Sequence, residues 1–507
     1  MNDTTDQSRA QLRRGVYFLL ILIGTGSILG RIAAVDDINR TAVEDYRFKR
    51  EVSIKKQKLR KMNLSEERYK EALAQEIARL EKELKPEMQR RPFLSANDRS
   101  RMCTVRALVE PDMRVEGHPY SIDKVIQQPG WDTIDMVKHD GHLYSSKPPL
   151  LPTLMAGEYW VINRLTGMNF ATHPFTLARI MLISVNLIPL LVYFVVLAAL
   201  IERFSRSDWG SIFVMAAAVF GTFLTTFAIV INNHLPAAVC LAVAIYAAVK
   251  IWFDDERRLR FFIIAGLFAA GTAANELPAL SILGLLSLAL LWKAPWQAIF
   301  AYAPAAALVV AAFIGTNWAA HEDLKPPYLH RKPGDNWYDY TYELNGKTHE
   351  SYWNNPTGVD LGQPSLSFYA SHILIGHHGI FSLTPIWLLS IGGLAMWLRQ
   401  KDERELRELA ALITVVSAVC LAFYMFRPEH HRNYGGITSG LRWMFWFAPL
   451  WLVAMIPAAD AMARRWWTKA IACVLLAASV FSVSYPVWNP WTHPWLMDYL
   501  HYAGWVC

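Results

Sequence analysis

The sequence predicts an all-α polytopic membrane protein with about eleven transmembrane helices and a large extracytoplasmic first loop containing juxtamembrane helices. Three observations predict it. Of 507 residues, 53% are hydrophobic and only 18% charged, where a soluble domain carries about a quarter charged. Apolar runs of about 20 residues, the length that crosses a bilayer, recur along the chain. Aromatics reach 13% with 20 Trp, and Trp and Tyr gather at membrane–water interfaces. The net charge of +7 does not point to nucleic acid. Its Lys and Arg sit beside apolar runs or near acids, as orientation signals and contacts to anionic lipid head groups do.

Residues 1–34 hold the amino terminus and a first span, 15–34. No small-residue cleavage pattern follows this run, which leads straight into acids, so it reads as an uncleaved anchor. Residues 35–173 are the first outer loop. Within it, 48–88 is rich in Lys, Glu, Leu and Ala with opposite charges three or four apart, a solvated helix or helical pair. A surface insertion explains that segment; a partner-binding arm is the alternative. A juxtamembrane helix is expected over 148–165, where an amphipathic run interrupted by Glu158, Asn163 and Arg164 suits the interface. Spans 2–7 fall in 174–315, at 174–201, 209–231, 234–253, 261–275, 277–293 and 297–315. The stretch 316–378, rich in Tyr, Trp, Asn, Pro and Gly, reads as a strand-poor loop over the surface. Spans 8–11 fall in 379–485, at 379–398, 408–426, 441–460 and 468–485, and 486–507 is an outer tail.

Arg13-Arg14, Arg203 with Arg206, Arg257-Arg258, Lys293, Arg399 with Lys401, and Arg464-Arg465 alternate in register with the spans. The positive-inside rule puts them in the cytoplasm, with the amino terminus inside and the carboxyl terminus outside, in a plasma (inner) membrane. Cys240, Cys420 and Cys473 lie in apolar runs as small hydrophobes. Cys103 and Cys507 share the outer side, and spacing alone leaves their pairing open.

The chemistry-bearing residues gather on that outer side. Asp36 and Asp37 stand where the first span leaves the bilayer. Neighbours on a helix point about 100° apart, so one acid can face a cavity while the other faces water, and Arg40 can share a face with either. A helix end with a loose ion pair is the bland alternative. Lys147 precedes Pro148-Pro149, which stiffen the chain at the head of the interfacial helix. There it is placed to meet a lipid phosphate, or else to snorkel. Asn233 and His234 occupy the outer turn between the third and fourth spans, where His234 could donate to a phosphate or sugar hydroxyl. Arg442, opening the tenth span after Gly435-Gly436 and Ser439-Gly440, needs an anionic partner at that depth, a carboxylate or a bound phosphate. Asn233 and Tyr434 are candidates for acceptor or sugar contact. His372, His377-His378 and His430-His431 add imidazoles, yet no His-x3-His pair or Cys partner accompanies them. No metal or other cofactor is expected to be required, a divalent cation being the alternative.

Taken together, these residues resemble the polyprenyl-phosphate-dependent C-type (GT-C) glycosyltransferases, and are similar to lipid A aminoarabinose transferases and protein O-mannosyltransferases. Asp37-Ile38-Asn39-Arg40 matches an Asp-Glu-x-Arg-like motif at the outer end of the first span. Lys147-Pro148-Pro149 matches the Lys-Pro-Pro opening of a juxtamembrane helix, and Gly440-Leu441-Arg442 matches a Gly-Pro-Arg-like stretch with Leu for Pro. The likeness covers roughly 15–300 and 379–460. The chain departs from the pattern at His234, which stands for an acid, after Asp37, where a second acid is absent, and in the insertion at 48–88.

The resemblance implies an integral-membrane glycosyltransferase moving a sugar from a polyprenyl-phosphate donor to a lipid, glycan or protein acceptor at the extracytoplasmic face, with inversion. Asp37 would be the base and Asp36 its understudy. Arg40, Lys147, Arg442 and His234 would hold the donor phosphate. The rivals are a lipid-linked-sugar transporter or flippase, which would need charges near the bilayer midplane, and a non-catalytic membrane scaffold.

Overall fold

The computed structural model describes residues 2–34, 40–62, 64–87 and 92–505. Asp36, Asp37 and Cys507 lie outside these residues, as does the side chain of Arg40. The protein is a polytopic helical membrane protein: among the described residues, eight helices are long and apolar enough to cross a bilayer, and three shorter apolar helices accompany them. In chain order the elements used below are α1 (Asn2–Ala33), α2 (Arg40–Arg60), α3 (Glu66–Glu87), α4 (Ala96–Val109), β1 (Met136–His139), β2 (His142–Ser145) and α5 (Leu150–Thr166). There follow α6 (Pro174–Phe204), α7 (Asp208–Ile229), α8 (His234–Phe253), α9 (Leu259–Asn275), α10 (Leu277–Lys293), α11 (Pro295–His321), α12 (Trp387–Leu398), α13 (Arg404–Met425), α14 (Arg442–Met462) and α15 (Trp466–Ser484).

Helices α7, α8 and α14 fill the centre, while α1, α11, α13 and α15 turn apolar side chains such as Phe18, Leu308, Phe423 and Val474 outward. Apolar side chains gain little by leaving lipid, so close backbone approach and buried polar contacts must hold such helices together. Both devices are present. Gly393 of α12 lies directly against the Ala454 carbonyl of α14, and Gly266 of α9 against the Tyr302 carbonyl of α11, with no room for a side chain. Asn186 sits in a π-turn of α6 and donates from its amide to the carbonyls of Ala228 (2.9 Å) and Val230 (2.8 Å), where α7 ends. The freed carbonyls of that end are thereby satisfied in an apolar setting. Asn232 then caps α8, accepting from the Leu235 N–H at 3.0 Å.

At one end of the bundle Arg13 of α1 pairs with Glu202 of α6 at 2.6 Å, and Asp460 accepts from Ser205, Ser207 and the Arg206 N–H. The other end carries the long connections. The charged segment 48–88 contains parts of α2 and α3, linked by a 3.2 Å ion pair between Lys55 and Glu76. Cys103 is fully buried on α4, its thiol facing the Trp131 carbonyl at 3.4 Å.

The stretch 316–378 carries two short hairpins, Arg331–Lys332 with Asp335–Asn336 and Thr341–Leu344 with Lys347–Glu350, in an otherwise strand-poor run. Asn345-Gly346, both at positive φ, form the two-residue turn of the second, the turn chemistry such hairpins prefer. Asp140-Gly141 do the same between β1 and β2 in the first loop.

Candidate active site

Three connections far apart in sequence meet at the loop end of the bundle. The β1–β2 hairpin reaches the 316–378 stretch through the Lys138 N–H to the Trp337 carbonyl (2.9 Å) and the Lys138 ammonium to the Thr341 carbonyl (2.8 Å). The indole N–H of Trp353 donates to the Ile134 carbonyl at 3.1 Å. The connection before α14 joins through Asn433, whose amide donates to Asp360 at 2.8 Å. Between them lies a cavity of about 820 Å³ whose walls include Asp135, Lys147, Arg331, Asp360 and Arg442. Arg50 of α2 also reaches this wall.

Hairpin register brings Lys147 to its place. Met136 pairs with Ser145, so Asp135 and Ser146 sit side by side just beyond the ladder, with the Ser146 N–H donating to the Asp135 carbonyl at 3.0 Å. The next residue, Lys147, then meets the Asp135 carboxylate at 3.0 Å. Pro148-Pro149 follow and α5 begins at Leu150, ending at Gly167, whose φ of 72° closes the helix. Pro-Pro restricts the backbone just after the lysine. Burial holds the Lys147 ammonium below its ordinary range, with Asp135 pulling the other way and Arg101 and Arg442 adding to the depression.

Arg442 reaches the same cavity from the first turn of α14. Its Nε donates to the Gly435 carbonyl at 2.6 Å, and its guanidinium lies over the Trp491 ring at 5.0 Å. Gly435 and Gly436 sit at φ 97° and 83°, a backbone only glycine adopts at no steric cost. No carboxylate lies within ion-pair distance of Arg442 among the described residues; its other partner is His234, whose Nε2 is 3.0 Å from a guanidinium nitrogen.

That contact corrects the expected role of His234. The ring is 2% exposed and both its nitrogens are engaged, Nδ1 with Glu276 and Nε2 with Arg442. Since a guanidinium only donates, Nε2 must accept, and Nδ1 carries the proton toward Glu276. His234 therefore holds Arg442 instead of reaching into the cavity. Asn233 is committed likewise: its amide donates to Glu276 at 2.7 Å and its carbonyl accepts from Arg101 at 2.8 Å. A buried chain thus runs Arg101–Asn233–Glu276–His234–Arg442 and ends on the cavity wall.

Tyr434 does not line the cavity either. At φ 58° its ring turns inward, stacks on His378 at 4.8 Å and packs against Tyr369 and His377. The structure brings Lys147 and Arg442 to one hollow and leaves Asn233, His234 and Tyr434 behind its wall. It adds Asp135, Arg331 and Asp360, which no motif in the sequence flags. Asp360 accepts from Tyr352 (3.0 Å) and Asn433 (2.8 Å). Burial pushes its acid upward, against those two hydrogen bonds and Arg442. Among the described residues no group of three His, Cys, Asp or Glu is arranged to hold a metal ion.

Apolar helices ending in a charged hollow roofed by long loops define an integral membrane protein with a polar site at the edge of its helical bundle. Residues 165–423 match the family model of Glycosyltransferase family 87. The chain belongs to that family, of the GT-C superfamily, and is a membrane glycosyltransferase. No curated protein and no solved structure matches it.

Proposed function

We propose that the protein transfers a sugar from a polyprenyl-phosphate donor to an acceptor hydroxyl at the extracytoplasmic face of the plasma (inner) membrane, inverting the anomeric centre. The amino terminus would lie in the cytoplasm and the carboxyl terminus outside. The observation that carries this reading is the pair Lys147 and Arg442 on the wall of one cavity at the end of apolar helices. Such a site can take a phosphate head group while its lipid tail lies between spans. A phosphate approaching Lys147 can replace Asp135 as its partner, and Arg442, with no carboxylate of its own, offers a planar donor fork.

In the transfer, the acceptor oxygen attacks the anomeric carbon from the face opposite the phosphate. The carbon–oxygen bond to phosphate breaks, and the lipid phosphate departs with the electron pair. The leaving group is stable, so cations that stabilise its charge do more than an acid would. The acceptor proton passes to a carboxylate. Asp37, with Asp36 as understudy and Arg40 beside them, is assigned that part from the sequence. His234 acts through Arg442 by fixing its guanidinium. No metal is needed for this route.

Incubating purified protein with labelled polyprenyl-phosphate sugars tests the reading. Release of lipid phosphate, with label moving to an acceptor or to water, is expected. Movement of intact donor across vesicles without bond cleavage would replace it with transport, and binding without either would leave a scaffold.

A further inference from the structure

Arg331 stands in the same cavity on different terms from Lys147, Arg99 and Arg442. It opens a short strand, and its guanidinium lies against two rings that meet edge to face, 4.9 Å from the centre of Tyr338 and 4.8 Å from that of Trp353. Among the described residues it has no hydrogen-bond acceptor and no carboxylate within ion-pair distance. Its neighbours do: Lys147 has Asp135, Arg99 has the Asp132 carbonyl, Arg101 has Asn97 and Asn233, and Arg442 has Gly435 and His234. A guanidinium carries five donors. Aromatic faces satisfy its charge and its flat surfaces, not the N–H groups at its edge. Those donors are pre-aimed by two rigid rings and line an open hollow.

The surrounding charge favours an anion as well. Arg427 adds a positive charge close to Arg331, while burial and these two arginines hold His430 and His431 below their ordinary range and so uncharged. The carboxylate coupled to Arg331 is Asp360, whose two oxygens are already taken by Tyr352 and Asn433. Lys147, by contrast, is coupled to Asp135, Arg101 and Arg442. The cavity therefore has two cationic groupings, and a single donor phosphate occupies one.

We infer that Arg331 forms a second anion subsite and that the acceptor enters this cavity carrying an acidic group, a carboxylate or a phosphate, which docks on the edge of its guanidinium. This rests on the reading of the cavity as a polyprenyl-phosphate glycosyltransferase site. Tyr338 and Trp353 fix the guanidinium against the cavity wall, and its planar fork receives the acidic group in a bidentate fashion.

The full chain, in nanodiscs of zwitterionic lipid and saturated with polyprenyl phosphate, is titrated with glucose, glucuronate and glucose 6-phosphate. At least one acidic sugar is expected to bind roughly 10-fold or more tightly than glucose, and the stronger of the two identifies the acidic group. Arg331→Gln should bring it to within about 2-fold of glucose while leaving polyprenyl-phosphate affinity unchanged, which also reports that the variant is folded. If Arg331→Gln fails to bind the lipid, Arg331→Lys takes its place and should show an intermediate preference, since the charge stays and the fork is lost. Equal affinities for all three sugars, or an acidic preference that survives in the variant, would each overturn the inference. Absence of polyprenyl-phosphate binding by the unaltered protein would instead overturn the proposed function.

Discussion

Asp135 and Lys147 are joined by a 3.0 Å ion pair on the cavity wall, although twelve positions separate them in the chain. The β1–β2 hairpin folds the intervening residues back on themselves, so its register makes the contact. The pair keeps a buried ammonium compensated. Removing Lys147 deletes the donor of a charge-assisted hydrogen bond, of the kind that contributes about 1.5–3 kcal/mol.

Lys147→Ala is accordingly expected to weaken polyprenyl-phosphate binding by roughly 10-fold to 100-fold. Titration of the lipid into nanodisc-embedded protein measures it, and an unchanged affinity would remove Lys147 from phosphate contact. Burial sets the lysine below its ordinary range. Lipid affinity should therefore fall, as pH rises, before an ordinary lysine would lose its proton.

Asp37→Asn is expected to lower transfer by roughly 100-fold to 10,000-fold, the span that a lost general base covers. Lipid binding should stay close to that of the unaltered protein. Turnover with labelled donor separates the two, and full turnover in the variant would pass the role to another carboxylate, Asp36 first.

Glu276 ties His234 and Asn233 together in the buried chain that ends on Arg442. Glu276→Leu should leave the His234 Nδ1–H without its acceptor and remove one of the negative charges near Arg101 and Arg442. A loss of about 3–5 kcal/mol is expected from breaking such a buried charged set. The thermal midpoint in detergent reads it. A midpoint unchanged from the parent would mean the chain adds no stability.

Asp98 of α4 is fully buried, and that burial pushes its acid up to about 7 despite a hydrogen bond from Ser95 and the charges of Arg101 and Arg99. The folded protein therefore holds this proton more tightly than the unfolded chain, whose ordinary value is 3.8. The resulting stability is full below about pH 4 and is lost as pH rises through about 7. Asp98→Asn should remove that part of the pH dependence, so the midpoint difference between variant and parent should grow from pH 5 to pH 8. A constant difference would show that Asp98 does not titrate in this window.

Much of the architecture is legible in the sequence because an apolar run long enough to cross a bilayer has few alternatives. The short runs at 261–275, 277–293 and 379–398 stand out for the same reason, although α12 begins only at Trp387 after the chain breaks at Thr384-Pro385. Lys147 and Arg442 are legible through their prolines and glycines, which fix the backbone beside a cation. Asp135, Asp360 and Arg331 are not, because their meaning comes from hairpin register and ring contacts to residues far along the chain. Nothing in the sequence marks α4 either, whose Asp98, Arg99, Arg101 and Arg106 are all buried, with partners as distant as Asn233. Tyr434 looks available beside two glycines, and its own left-handed backbone turns it away.

Tyr434, Gly435 and Gly436 follow one another at positive φ, and Gly435 presents the carbonyl that Arg442 holds. Glycine takes such a curl without steric cost, and the 2.6 Å hydrogen bond from the Arg442 Nε closes it. An arginine moored to a fixed point has already surrendered most of its freedom before any anion arrives, and capture then costs less entropy. On the proposed reading, the grip on a charged guest is thus set partly by a bend whose backbone need never touch it.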